Sequence, residues 1–121
     1  MIRAKHRLMA FLLPILFLAT GCSMIARMSG VADTKTLQET GVAAEAVILR
    51  IWDTGITLND DPVIGMDVEV RPTDGEPWNA TIPKSLISRL DIPRFQPGQT
   101  VHVRYDAQER SRVGLDEYKY R

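Results

Sequence analysis

The sequence predicts a mainly β domain, a small five-stranded half-open barrel of the OB or SH3 kind with one short helix, preceded by a signal peptide and a flexible tether. Three observations lead there. From Val42 onward, short β-branched and aliphatic runs are separated by Gly, Pro, Asn and Asp at intervals of roughly 10 to 20 residues. Several of those runs alternate with a period of two, as strands with one buried face require. Finally, the window holds five such runs, and closing five short strands on themselves removes exposed edges.

The first strand is expected over Ala43 to Asp53, where apolar residues on both parities (Ala46 and Ile48 against Val47, Leu49 and Ile51) imply cover on both faces. Val63 to Arg71 alternates strictly, with Ile64, Met66, Val68 and Val70 on one face. Pro77 to Ile82 is the third strand, with Trp78, Ala80 and Ile82 in register. Pro83 suits a first helical turn, and Leu86, Ile87 and Leu90 then give one apolar patch before Pro93, so the short helix is placed there. After the Pro97-Gly98 turn comes Gln99 to Tyr105, with Val101, Val103 and Tyr105 inward and Thr100, His102 and Arg104 outward. Arg112 to Asp116 is a short last strand carrying Val113 and Leu115.

Ahead of this domain, Arg3, Lys5 and Arg7 precede the apolar stretch Leu8 to Leu18, and Ala19, Thr20 and Gly21 leave only small side chains before Cys22. That order is the signature of an export signal. The stretch is shorter than the roughly 20 apolar residues of a membrane span, and Pro14 interrupts it. Residues 1–21 are read as the signal peptide and 22–41 as the mature N-terminus and tether, with at most one helical turn near Lys35 to Glu39. Residues 42–116 form the domain and 117–121 a tail.

The whole chain has 15 basic and 15 acidic residues, but Arg3, Lys5 and Arg7 leave with the signal. The mature chain then has 12 basic against 15 acidic residues, a net −3, which withdraws the basic field that a nucleic-acid partner would need. One cysteine allows no disulfide within the chain, so stability rests on packing. No motif calls for a cofactor.

The quartet Ala19-Thr20-Gly21-Cys22 resembles the bacterial lipobox, departing from it in Ala19, where that motif most often has Leu. The resemblance implies a diacylglyceryl group on the Cys22 thiol, cleavage before Cys22, and membrane lipid as a partner. It places the protein in the cell envelope, facing the periplasm or the exterior. Ser23 resembles an outer-membrane sorting choice where a cell has two membranes. Further on, an ordered set of landmarks includes Gly41-Val42-Ala43, Asp53-Thr54-Gly55, Asn59, Pro62-Val63, Val68-Glu69-Val70, Ser88-Arg89, Ile92-Pro93, Pro97-Gly98 and Val103-Arg104-Tyr105-Asp106. Over Gly41 to Leu115 this set resembles small bacterial domains of the DUF3592-like kind, with Ala107 in place of their usual proline. That resemblance implies a β-rich envelope domain and lends no catalytic residue, so the expected role is a non-enzymatic interaction or structural module with an envelope protein partner.

The candidate partner-binding residues are Trp52, Asp53, Asn59, Asp60 and Asp61, on what reads as a ten-residue loop from Asp53 to Pro62. Loops on a rigid sheet commonly carry binding, and Trp52 is either core cover or an exposed anchor. Two aspartate-based alternatives stand beside this. Asn59, Asp60 and Asp61 gather oxygen atoms that suit calcium, without EF-hand spacing. Asp53-Thr54-Gly55 matches the D-T-G of retroviral-type aspartic proteases, in which two such carboxylates share a proton. Those enzymes have Ala or Ser next, where this chain has Ile56, and their later apolar-apolar-Gly segment has only Val63-Ile64-Gly65 as its counterpart, too close by. Ser85, Ser88 and Ser111 have no histidine at a motif distance, and His102 stands alone on an outward parity.

Overall fold

The computed structural model describes residues 29–118. The signal segment, Cys22, Ser23 and residues 119–121 lie outside the described residues.

Five strands are present: β1 (Val42–Leu58), β2 (Asp61–Arg71), β3 (Trp78–Leu86), β4 (Thr100–Tyr105) and β5 (Val113–Leu115). They form one open antiparallel sheet in the order β3-β2-β1-β4-β5, so the mainly β domain expected from the sequence is what folds. The sheet curls until β3 and β5 come into contact. A helix, α1 (Val31–Thr40), precedes β1, and a 3₁₀ helix (Arg89–Arg94) leads from β3 toward β4.

The 17 residues of β1 join the two halves, pairing with β4 over Val42 to Val47 and with β2 from Glu45 to Leu58. Its mixed apolar parity has a different cause from the two-sided cover expected. The register slips between Ile48 and Arg50, leaving Leu49 as the extra residue of a β-bulge, and a one-residue insertion exchanges the faces. Ala46 and Ile48 point inward before the bulge, Ile51 opposite buried Met66 after it, and Leu49 remains 46% exposed.

The core inside the curl is made by Ile48, Met66, Val68, Val70, Ile82, Val101 and Val103, closed by Ile87 and Phe95. Fully burying each such side chain stabilises the fold by about 1.5–3 kcal/mol. Ile64, Met66, Val68 and Val70 all lie in it, as the alternation of β2 requires.

Pro83 does not start a helix. Ile64 pairs with Ser85 and Met66 with Ile82, so Pro83 and Lys84 together oppose Gly65 in a second bulge. An edge-strand bulge asks no ladder hydrogen bond of a proline, so β3 runs on to Leu86. The helical turn forms later, at Arg89–Arg94, with Pro93 inside it and Leu90 pointing away from the protein.

The segment expected to be a tether contains α1, a ten-residue helix docked across β3, β5 and β4. Only Thr34 and Leu37 of α1 are buried, so tertiary contact rather than sequence propensity holds it. Gly30 precedes it at φ +78°, so near β3 that a Cβ there would lie 2.1 Å from the Lys84 carbonyl oxygen. Leu37 covers Gly114, Arg112 reaches Asp33 at 3.2 Å, and the Gly41 amide closes the helix on the Leu37 carbonyl at 2.7 Å.

Candidate functional site

The candidate partner-binding residues Trp52, Asp53, Asn59, Asp60 and Asp61 all fall on the β1–β2 hairpin, whose tip is not a ten-residue loop. Leu58 pairs with Asp61, leaving a two-residue turn of Asn59 (φ 51°) and Asp60 (φ 67°), both in the left-handed region that a type I′ hairpin needs. Asp53-Thr54-Gly55 sits inside β1 as a wide irregularity, since Asp53 pairs with Ile64 and Thr57 with Pro62.

Its polar groups close that irregularity. Asp53 Oδ1 accepts the Gly55 amide at 2.8 Å, while Thr54 Oγ1 donates to the Val63 carbonyl at 2.7 Å and accepts the Ile56 amide at 3.3 Å. Gly55, at φ +83°, supplies the reversal. Asp61 does a third job, its Oδ1 accepting the Arg89 amide at 3.1 Å and so tying the 3₁₀ turn to the hairpin.

The carboxylates are thus strung along a ribbon. Asp53 lies opposite Ile64, three residues along β2 from Asp61 and so about 10 Å from the turn, whereas a calcium ion takes its oxygens at about 2.3–2.6 Å. Among the described residues, no group of three or more His, Cys, Asp or Glu is placed to hold a metal ion. The Asp53 side chain is exposed and hydrogen-bonded within its own turn, the Asx geometry of a strand irregularity.

Trp52 is separate from the turn. It pairs with Gly65 on the outward face, half-buried, and its indole occupies the space above that glycine: a Cβ on Gly65 would stand 2.3 Å from the ring. The Arg50 guanidinium lies 4.7 Å from the ring centroid and also pairs with Asp67 at 3.1 Å, and Asp67 in turn accepts the Thr81 hydroxyl at 2.7 Å. Gly65 was legible as a glycine interrupting a strand, which marks close approach. Nothing in the sequence pointed to Arg50.

Three other features complete the surface. Between α1, β3 and β5 opens a cleft of about 390 Å³ with buried Leu37, Ile82 and Val113 along it. Its Arg112 is already shared between Asp33 and Asp106. Tyr118 packs 6.1 Å from Phe95, donates its hydroxyl to Asp91 at 2.7 Å and accepts the Gln38 side-chain amide of α1 at its carbonyl, so the tail begins as part of the fold. Burial, then the Asp91 carboxylate, holds that phenol well above its ordinary titration range. Trp78 stands edge-on to Tyr105 at 4.9 Å and donates to the Arg110 carbonyl at the core margin.

Compared with known proteins, the chain matches no family model, no curated protein and no solved structure.

Proposed function

We propose that this protein is a membrane-anchored bacterial lipoprotein, held by acyl chains on Cys22, whose β domain is a non-enzymatic interaction or structural module of the cell envelope. The observation that carries the reading is the series Arg3-Lys5-Arg7, Leu8 to Leu18, Ala19-Thr20-Gly21 and then Cys22, the chain's single cysteine. Among the described residues no helix is long and apolar enough to cross a membrane, and lipid would do the anchoring. The hairpin supports the module reading, because Asp53, Thr54 and Asp61 bond to backbone and leave Trp52 with Arg50 as a half-covered aromatic surface.

Replacing Cys22 with Ser tests the anchor. The expected outcome is accumulation of an uncleaved, unacylated precursor. Normal processing of Cys22→Ser would refute it. For the module, Trp52→Ala with Asp60→Ala should reduce crosslinking to an envelope partner without altering lipidation, and undiminished crosslinking would move the surface elsewhere.

A further inference from the structure

Ser29 and Gly30 set where the chain leading from the anchor meets the domain. Ser29 is 3% exposed, and Gly30 backs onto the Lys84 carbonyl, so the chain enters the domain at a fixed point. Residues 23–28 alone separate that point from Cys22. Their seven Cα steps reach at most about 25 Å even when fully extended. A domain of about 90 residues is about 30 Å across. Such a chain is too short to pass around the domain, and the side that faces the bilayer must be the one on which Gly30 lies.

Register along β3 identifies that side. Lys84 is two residues, about 7 Å, from Leu86 at the end of the strand. Leu86 pairs with Val63, the Ile87 amide donates to the Pro62 carbonyl at 3.2 Å, and the Arg89 amide donates to Asp61. The 3₁₀ turn therefore sits beside the Asn59-Asp60 turn, at the end of the sheet toward which Gly30 is placed. Trp78, Tyr105 and the connection from Pro72 to Pro77 occupy the other end.

At the Gly30 end stands Leu90, 90% exposed, against 46% for Leu49 and 40% for Val42, the other exposed large hydrophobics among the described residues. One exposed leucine ordinarily needs no explanation. This one is presented on a fixed turn, since Asp91 N–H donates to the Ser88 carbonyl at 2.9 Å and Phe95 N–H to the Ile92 carbonyl at 3.0 Å. The charges about it are mixed: Arg89 is exposed beside it and Lys84 lies on β3, while Asp91 follows it and Asp60 and Asp61 stand on the adjoining hairpin.

We infer that the end of the domain bearing Gly30, the Asn59-Asp60 turn and Leu90 faces the bilayer, with Leu90 entering the interfacial region. This rests on the acylation of Cys22. A leucine held out on a fixed turn adds apolar burial at the interface to that of the acyl chains. It also gives the anchored domain a preferred orientation, leaving the far end of the sheet free.

The test uses the full lipidated chain in vesicles of phosphatidylethanolamine and phosphatidylglycerol, with Leu90→Cys or Leu49→Cys spin-labelled. Acylated Cys22 takes no label, so each variant reports one site. A nitroxide at position 90 should collide with oxygen in preference to a water-soluble nickel chelate, by a ratio several-fold above that at position 49. Equal ratios at the two positions in an acylated, cosedimenting protein would overturn this orientation alone. Shielding of position 90 from both reagents, as beneath a protein partner or a second copy, would also overturn it. A chain that takes label at Cys22 and leaves the vesicles would overturn the anchor and the orientation together.

Discussion

Substituting alanine at Gly30 and at Gly55 separates the docking of α1 from backbone strain alone. Both glycines have left-handed φ, +78° and +83°, so each alanine incurs the steric cost of that region, roughly 1–2 kcal/mol. Their surroundings differ. Nothing lies within 4 Å of a Cβ built on Gly55, whereas on Gly30 it would stand 2.1 Å from the Lys84 carbonyl oxygen and 2.8 Å from its carbon. Backbone on both sides of that contact cannot swing away as a side-chain tip could, so the start of α1 must lift from β3. Leu37, 3% exposed, is the apolar group that this movement endangers, and uncovering it costs a further 1.5–3 kcal/mol or about that. Denaturant unfolding of residues 29–118 should therefore show about 1–2 kcal/mol lost for Gly55→Ala and about 3–5 kcal/mol for Gly30→Ala. Hydrogen exchange should show the loss at the amides of Thr34 and Gly41, which bond to the Gly30 and Leu37 carbonyls. Equal losses in the two variants, with exchange over Val31–Thr40 unchanged, would refute the docked helix.

Removing residues 1–41 should leave a less stable domain than removing residues 1–28, because Leu37 and Thr34 go with the longer deletion; equal melting temperatures would show α1 to be dispensable. Gly65→Ala should push the Trp52 indole off the sheet, red-shifting tryptophan emission and costing about 1–3 kcal/mol, and an unshifted spectrum would contradict the placement of the ring. Tyr118 gives a pH dependence of definite sign. Above the ordinary tyrosine value near 10 the unfolded chain releases its phenolic proton, while burial and Asp91 make the folded chain keep it, so the contribution to stability is full below about pH 10 and falls as pH rises beyond it. Tyr118→Phe should remove that part of the decline, and an unchanged alkaline slope would show that Tyr118 is not its source.

What the sequence made legible was the part governed by unbroken alternation. Ile64, Met66, Val68 and Val70 keep one parity throughout β2, and Val101 and Val103 do so in β4, so strand, face and core follow directly. Each misreading falls where a bulge or a docked surface breaks that rule. Leu49 inserts into β1 and exchanges its faces, which resembles two-sided burial unless the partner strand is known. Asp53-Thr54-Gly55 has the composition of a strand end, yet β1 resumes after it and the reversal belongs to Asn59 and Asp60. Pro83 reads as a helix start because the sequence does not show that β3 is an edge strand with a bulge opposite Gly65. Helix α1 buries only Thr34 and Leu37, too few for a periodic signal, although Gly30, Thr34, Leu37 and Gly41 in retrospect mark one stripe. Of the candidate site, the hairpin residues were found, but their roles in closing backbone turns depend on register, which composition does not carry.

The anchor is the centre of the account, and the mass of the mature N-terminus tests it most directly. Protein taken from the membrane fraction and cleaved to peptides should yield an N-terminal peptide that begins at Cys22 and carries a diacylglyceryl group on its thiol. A mature chain that begins elsewhere, or that begins at Cys22 with a free thiol and is recovered in the soluble fraction, would contradict it.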